Sequence, residues 1–144
     1  MPYLTLAYIL ARIYFMSLRQ RVTHDPDWYE PYGISLAIRA NDLIFVSGQA
    51  GIDETGRTVG AGDFEVQARR AFANLATVLE QGGSSLADVV KVTIMVTDMS
   101  YLDLIVRLRV EFFTQPYPAD TLLQVAGLAQ SDWLIEIDAV ALVR

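Results

Sequence analysis

The run Val89–Thr97, VVKVTIMVT, constrains the fold more than any other stretch of the chain. It is β-branched at most positions and carries Lys91 as its one charge. Such a run reads as a strand apolar enough to lie centrally in a sheet, with Lys91 a snorkelling face or edge lysine. A strand of this kind needs cover on both faces of its sheet. Upstream lies Phe64–Gln81, where Ala68, Phe72, Leu75 and Leu79 recur at helical spacing. Asp63 is the expected N-cap, and Gly82-Gly83 the stop. Glu65, Arg69, Arg70 and Glu80 form the solvated face of that helix. A long amphipathic helix feeding a buried strand sets an α+β frame.

The remaining elements fit around this pair. Ile34–Arg39 and Leu43–Ser47 flank Ala40-Asn41-Asp42, which is turn chemistry for a β-hairpin. Ser47-Gly48-Gln49-Ala50-Gly51 ends the second strand; its glycines suit a bulge, a turn or a close backbone approach. Asp53–Gly62 is a glycine-rich loop with a short strand at Thr58-Val59. Ser85-x-x-Asp88 caps a short turn, and Ser100-x-x-Asp103 opens a second helix that runs to about Phe113. That helix turns Leu102, Ile105, Val106, Leu108 and Phe112 inward. Pro116-Tyr117-Pro118 ends it. Two more strands follow, Leu122–Val125 and Trp133–Ile137, separated by the polar turn Ala129–Asp132. The order predicts one mixed sheet with two helices on one face. Packing of sheet on sheet within an oligomer is the expected cover for the other face, and it creates clefts between subunits.

At 144 residues the chain is sized for one domain. Residues 19–144 make that domain, with Arg19–Tyr32 as a polar lead-in. Met1–Leu18 is an apolar, tyrosine-rich appendage with Arg12 as its only charge. It is interrupted too often for a membrane span and lacks the marks of a signal peptide. It reads either as an extra packing helix or as sequence ahead of a start at Met16. No membrane association and a cytoplasmic location are the expectation. The net charge of −6 argues against nucleic acid, which needs a cationic footprint. With no Cys, disulfides, thiolate metal sites and a cysteine nucleophile are excluded. The one His, His24, stands in the polar stretch Thr23–Asp27 and reads as a solvated loop residue.

Two carboxylates stand out. Asp120 directly precedes the first of the last two strands, where a side chain can point into a cleft. Glu136 interrupts the apolar strand Leu134-Ile135-Glu136-Ile137; it is either on the solvent face or a held, functional acid.

From about Tyr32 to Val143 the chain resembles the RidA/YjgF family, also called the endoribonuclease L-PSP family. The resemblance rests on Pro31-Tyr32, Val46-Ser47-Gly48-Gln49, Glu65-x-Gln67, Asn74-Leu75 and Val78-Leu79. It continues in Asp88–Thr93, Thr97-Asp98-Met99, Pro118-Ala119 and Ile135-Glu136-Ile137-x-Ala139-Val140-Ala141. It implies a homotrimer of chorismate-mutase-like subunits whose sheets form the trimer core. It also implies three inter-subunit clefts, a small-molecule ligand, and no cofactor or metal. The implied activity is hydrolysis of reactive enamine or imine intermediates. The resemblance makes Tyr32 a cleft tyrosine, Gly48 the glycine whose backbone lines the site, and Glu136 the holder of the attacking water. A carboxylate with a burial-raised pKa suits that last role.

Two positions depart from the family pattern. Its Pro-Ala-Arg motif, whose arginine clamps the substrate carboxylate, reads Pro118-Ala119-Asp120 here. An aspartate repels the carboxylate that an arginine would hold bidentately. Val106 stands where many members have Asn. The expected enzyme is therefore a cofactor-independent hydrolase or deaminase acting on a neutral or cationic imine or amine. The alternative is a trimer that binds or senses a small ligand without reaction. Endoribonuclease activity ranks third, given the acidic charge and the single His.

Overall fold

The computed structural model describes residues 6–10 and 18–144. Eight main elements follow in order: β1 (Gln20–Val22), β2 (Ala37–Ala40), β3 (Leu43–Ala50), α1 (Phe64–Gln81), β4 (Val89–Val96), α2 (Leu102–Phe112), β5 (Ala119–Gln124) and β6 (Ile135–Leu142). The strands make one six-stranded sheet, ordered β1-β2-β3-β6-β4-β5. All pairings are antiparallel except β4 with β5. The central strand expected from Val89–Thr97 is β4, flanked by β6 and β5.

Both helices pack on one face of this sheet. Ile44, Ile94, Ile135 and Ile137 point to them and are fully buried. From α1 come Ala68, Phe72, Leu75 and Leu79, and from α2 Ile105 and Leu108. Phe72 stacks on Phe112 with ring centroids 4.5 Å apart, which locks the two helices together. Truncating Phe72 to Ala costs about 3–5 kcal/mol by lost burial and cavity formation. Helix α1 starts and stops as its sequence implies. The Asp63 side chain accepts from Val66 N, and Gly83 turns the chain away at φ 79°.

On the opposite face the side chains are only partly covered. Phe45, Leu123 and Leu142 are each nearly half exposed there.

Four expectations need correction. The lead-in Arg19–Tyr32 contains a strand, β1, too short for sequence alternation to reveal. The last two strands are not neighbours: β4 lies between β5 and β6. Because α2 joins β4 to β5, that pair is parallel, as a helical crossover requires. The polar turn Ala129–Asp132 belongs to a connection that crosses β4. Thirdly, Leu102 and Val106 face outward, 43% and 47% exposed; with Val110 they form a second apolar stripe on α2. Lastly, the turn before α2 is capped by Asp98, which accepts from Ser100 N, not by Ser100. The expectation for Met1–Leu18 lies largely outside the described residues; Leu6–Leu10 are helical and exposed. Among the described residues no helix is long and apolar enough to cross a membrane.

Candidate functional site

The site is organised by an irregularity in β3. Val46 pairs with Ala139 and Gln49 with Ile137, so Ser47 and Gly48 bulge out of register against β6. Glu136 sits one residue beyond, paired with Ala50. Its neighbours Ile135 and Ile137 are buried under the helices, so alternation turns Glu136 to the opposite face. There its carboxylate lies against Gly48. A Cβ built on Gly48 would stand 2.7 Å from Glu136 Cδ and 2.8 Å from Cγ, and would overlap Oε1. Gly48 does not have positive φ; the need is for space. A side chain at 48 would displace the acid.

An aromatic wall encloses this carboxylate. Asp27 accepts from the N–H groups of Tyr29 and Glu30, each at 3.1 Å, and is paired with Arg21 at 2.9 Å. This local turn buries Trp28 and Tyr29. Tyr29 donates its hydroxyl to Gly48 O at 2.5 Å, stapling the wall to the bulge. Gln67, fully buried on α1, donates to Asp132 O at 2.9 Å and accepts from Leu134 N at 2.9 Å. It thereby fixes the loop that carries Trp133. Trp28, Tyr29, Tyr32, Gly48, Trp133 and Glu136 line a cavity of about 200 Å³.

The electrostatics follow from this packing. Burial, then the nearby Asp138, raises the Glu136 pKa above the ordinary glutamate value. Burial, then the charge on Glu136, raises that of the Tyr29 phenol, which stays neutral at physiological pH. The cavity therefore offers a carboxylate ready to take a proton beside largely apolar walls.

Three of the four residues singled out in the sequence, Tyr32, Gly48 and Glu136, line this one cavity. Asp120 does not. It pairs in register with Val92, whose side chain is buried under the helices, so it lies on the other side of the sheet. There Arg109 of α2 holds it bidentately, with Nε donating to Oδ2 at 2.8 Å and Nη2 to Oδ1. The pair lines a separate concavity of about 220 Å³ with Val106, Val110, Phe113 and Tyr117. Val106, the other departure from the family pattern, thus stands beside Asp120. His24 lies behind the aromatic wall, its ring 5.4 Å from Trp28 and Nδ1 3.1 Å from Pro26 O.

Sequence reasoning missed Trp28, Tyr29, Trp133 and Arg109. The first two lie in an irregular segment without periodicity. Trp133 read only as the start of a strand. Arg109 meets Asp120 only once the β4-α2-β5 crossover is known. Among the described residues no group of three or more Asp, Glu or His side chains converges as metal ligands would.

Comparison with known proteins places this geometry in a family. Residues 23–143 match the family model described as endoribonuclease L-PSP. The chain belongs to this family, known also as RidA/YjgF. A RutC family protein of Pyrococcus abyssi is 40% identical over 112 residues, covering 77% of this chain and 85% of that one. The 2-iminobutanoate/2-iminopropanoate deaminase of Homo sapiens is 30% identical over 112 residues, covering 78% and 80%. The crystal structure of RidA from an Antarctic Psychrobacter superposes with a TM-score of 0.72 at 32% identity, covering 76% of this chain and 88% of that one. The RidA/YjgF subunit fold is the chorismate-mutase-like α+β fold, and the six-stranded sheet with its two helices has it.

Proposed function

We propose that this RidA/YjgF protein is a cofactor-independent hydrolase of imines or enamines, with Glu136 as the group that holds and deprotonates the attacking water. One observation carries the reading. Gly48 gives up its side-chain space to the Glu136 carboxylate, inside a cavity whose burial raises that acid's pKa. Hydrolysis of C=N needs water set against an electrophilic carbon and a base to accept its proton. Tyr32 stands at the rim, 66% exposed, in position to meet a bound guest. Relatives named as imine deaminases support the reaction class.

The family's carboxylate-bearing substrates are not the preferred ones in this reading. At the position of the clamp stands Asp120, and its carboxylate occupies Arg109. The reading includes a homotrimer with sheets at its core, in which Asp120 of one copy approaches the Glu136 cavity of the next. Support comes from the apolar side chains left exposed on the open sheet face, Phe45, Leu123 and Leu142, and from the stripe Leu102, Val106 and Val110. A cytoplasmic location belongs to the same reading.

Ammonia release from 2-iminopropanoate and from a panel of amine-derived imines tests the assignment. Turnover of at least one imine that falls to the uncatalysed rate in Glu136→Ala is expected. Equal rates for wild type and variant on every compound contradict it. The occupied guanidinium of Arg109 favours one second reading, a trimer that binds a small ligand without converting it. Asp120→Arg separates the two: hydrolysis of 2-iminopropanoate gained on that single change shows the remaining machinery to be intact.

A further inference from the structure

The chain has two tryptophans, and both line the Glu136 cavity. The Nε1 atoms of Trp28 and Trp133 are buried without a hydrogen-bond partner. The indoles therefore offer the cavity carbon surface and no donor. Tyr29 has committed its hydroxyl to Gly48 O and likewise offers its ring. Tyr32 stands at the mouth, and Ile34 and Ile52 add aliphatic surface. Within this lining Glu136 is the one charged side chain; no Lys, Arg or His contributes to it among the described residues.

That combination discriminates by charge. Within the lining that this subunit supplies, an anion would meet a carboxylate with no counter-ion, in surroundings that screen repulsion poorly. A neutral polar guest would give up its hydration for few partners. A cation on an apolar group gains on both counts. Its charge pairs with Glu136, and aromatic rings attract cations through their quadrupoles, tryptophan most strongly. The same cation favours the ionised form of Glu136, the form able to accept a proton.

We propose that the cavity selects a small organic cation, an iminium or ammonium carried on an apolar group and lacking a carboxylate, through Glu136 and the rings of Trp28, Tyr29, Tyr32 and Trp133. The chemical step rests on the hydrolase reading above; the charge selection does not. For an iminium ion whose nitrogen carries two protons, the water oxygen bonds to carbon while the C=N π pair moves to nitrogen. Glu136 takes one water proton and passes it to that nitrogen. The C–N bond then breaks with its electron pair on nitrogen, and the remaining O–H proton ends on the departing ammonia. The products are the corresponding aldehyde or ketone and an ammonium ion.

Three ligands with one ring and three charges test the selection: benzamidinium, benzamide and benzoate. Benzamidinium presents a planar carbon bearing a cationic nitrogen and does not turn over. Each is titrated at pH 8 against tryptophan emission, which reports on this cavity because both indoles line it. Expected is saturable quenching by benzamidinium with at least tenfold tighter binding than benzamide, and benzoate weakest. Glu136→Gln is expected to bring benzamidinium down to the level of benzamide. Benzoate binding as tightly as benzamidinium overturns the proposal, as does full charge discrimination surviving in Glu136→Gln. If that variant does not fold, the ranking in the wild type decides alone. Ammonia release is then measured from the imine of benzylamine, made in situ by a flavin amine oxidase, and from 2-iminopropanoate. Benzamidinium ranking first with neither imine turned over leaves the selection standing and removes the hydrolase reading. Turnover of 2-iminopropanoate alone, with benzoate ranking first, does the reverse.

Discussion

Glu136 and Asp120 look alike in the sequence, each an acid at or beside an apolar strand, yet the fold treats them in opposite ways. Asp120 lies exposed on the edge strand, on the helix side of the sheet, and is clasped by Arg109, so its charge has a partner. Glu136 is turned to the other face, packed against a glycine and aromatic rings, with burial and Asp138 both pressing it toward the neutral form. A paired acid is held in place; an unpaired, desolvated one is poised to exchange a proton. What separates the two carboxylates is the presence of a counter-charge, and that is decided by which face of the sheet each side chain occupies.

The largest expected effect that bears on this contrast is the loss of imine hydrolysis in Glu136→Gln. The amide keeps the shape and removes the base, so kcat/KM should fall by about 10²–10⁴-fold. An ammonia-release assay reads it, and a fall of less than tenfold would contradict the role of Glu136 as the base. Gly48→Ala should follow, at roughly 10²-fold in kcat/KM, because the new methyl group displaces the carboxylate. The same overpacking should destabilise the fold by about 1–3 kcal/mol in urea unfolding.

The pH dependence sharpens the comparison next. Activity that needs ionised Glu136 falls as pH drops through its raised pKa, so the acidic limb of kcat/KM, which reports the free enzyme, should lie above the ordinary glutamate value. For stability the sign is reversed from that of a salt-bridged acid. A raised folded pKa means that the folded state binds the proton more tightly than the unfolded chain does. Stability is therefore lost as pH rises from the unfolded value through the folded one. Glu136→Gln should then melt slightly higher than the wild type at neutral pH, read by calorimetry.

The smallest effect belongs to the paired acid. A double-mutant cycle on Arg109→Ala and Asp120→Ala should give a coupling of about 0.2–1 kcal/mol, as for a partly exposed ion pair. A coupling of zero would mean that Asp120 is as unpartnered as Glu136.

Much of this was legible in the chain itself. The helix Phe64–Gln81 has the bounds that its periodicity, its Asp63 cap and its diglycine stop imply. The hairpin around Asn41 is likewise present, with Asn41 at φ 53°. The bulge that the glycines of Ser47–Gly51 suit does fall at Gly48, and the missing side chain also makes room for Glu136. Long periodic segments reveal themselves because burial imposes one residue pattern over many turns. The aromatic wall did not, because Trp28 and Tyr29 are held by an aspartate turn, and Trp133 by the Gln67 clamp, neither of which leaves a period. Helix α2 misled in a different way. Apolar residues cover more than one of its faces, so spacing alone could not tell Leu102 and Val106, which face outward, from Ile105 and Leu108, which face the core. The pairing of Arg109 with Asp120 depends on topology, since only a crossover making β5 parallel to β4 brings them together.

The most direct test of the central claim is a carbon-detected NMR titration of the Glu136 side-chain carboxyl in the wild-type protein. A midpoint above the ordinary glutamate value is expected, moving back toward that value on unfolding in urea. A midpoint at or below the ordinary value would mean that Glu136 is solvated or paired after all, and the contrast with Asp120 would collapse.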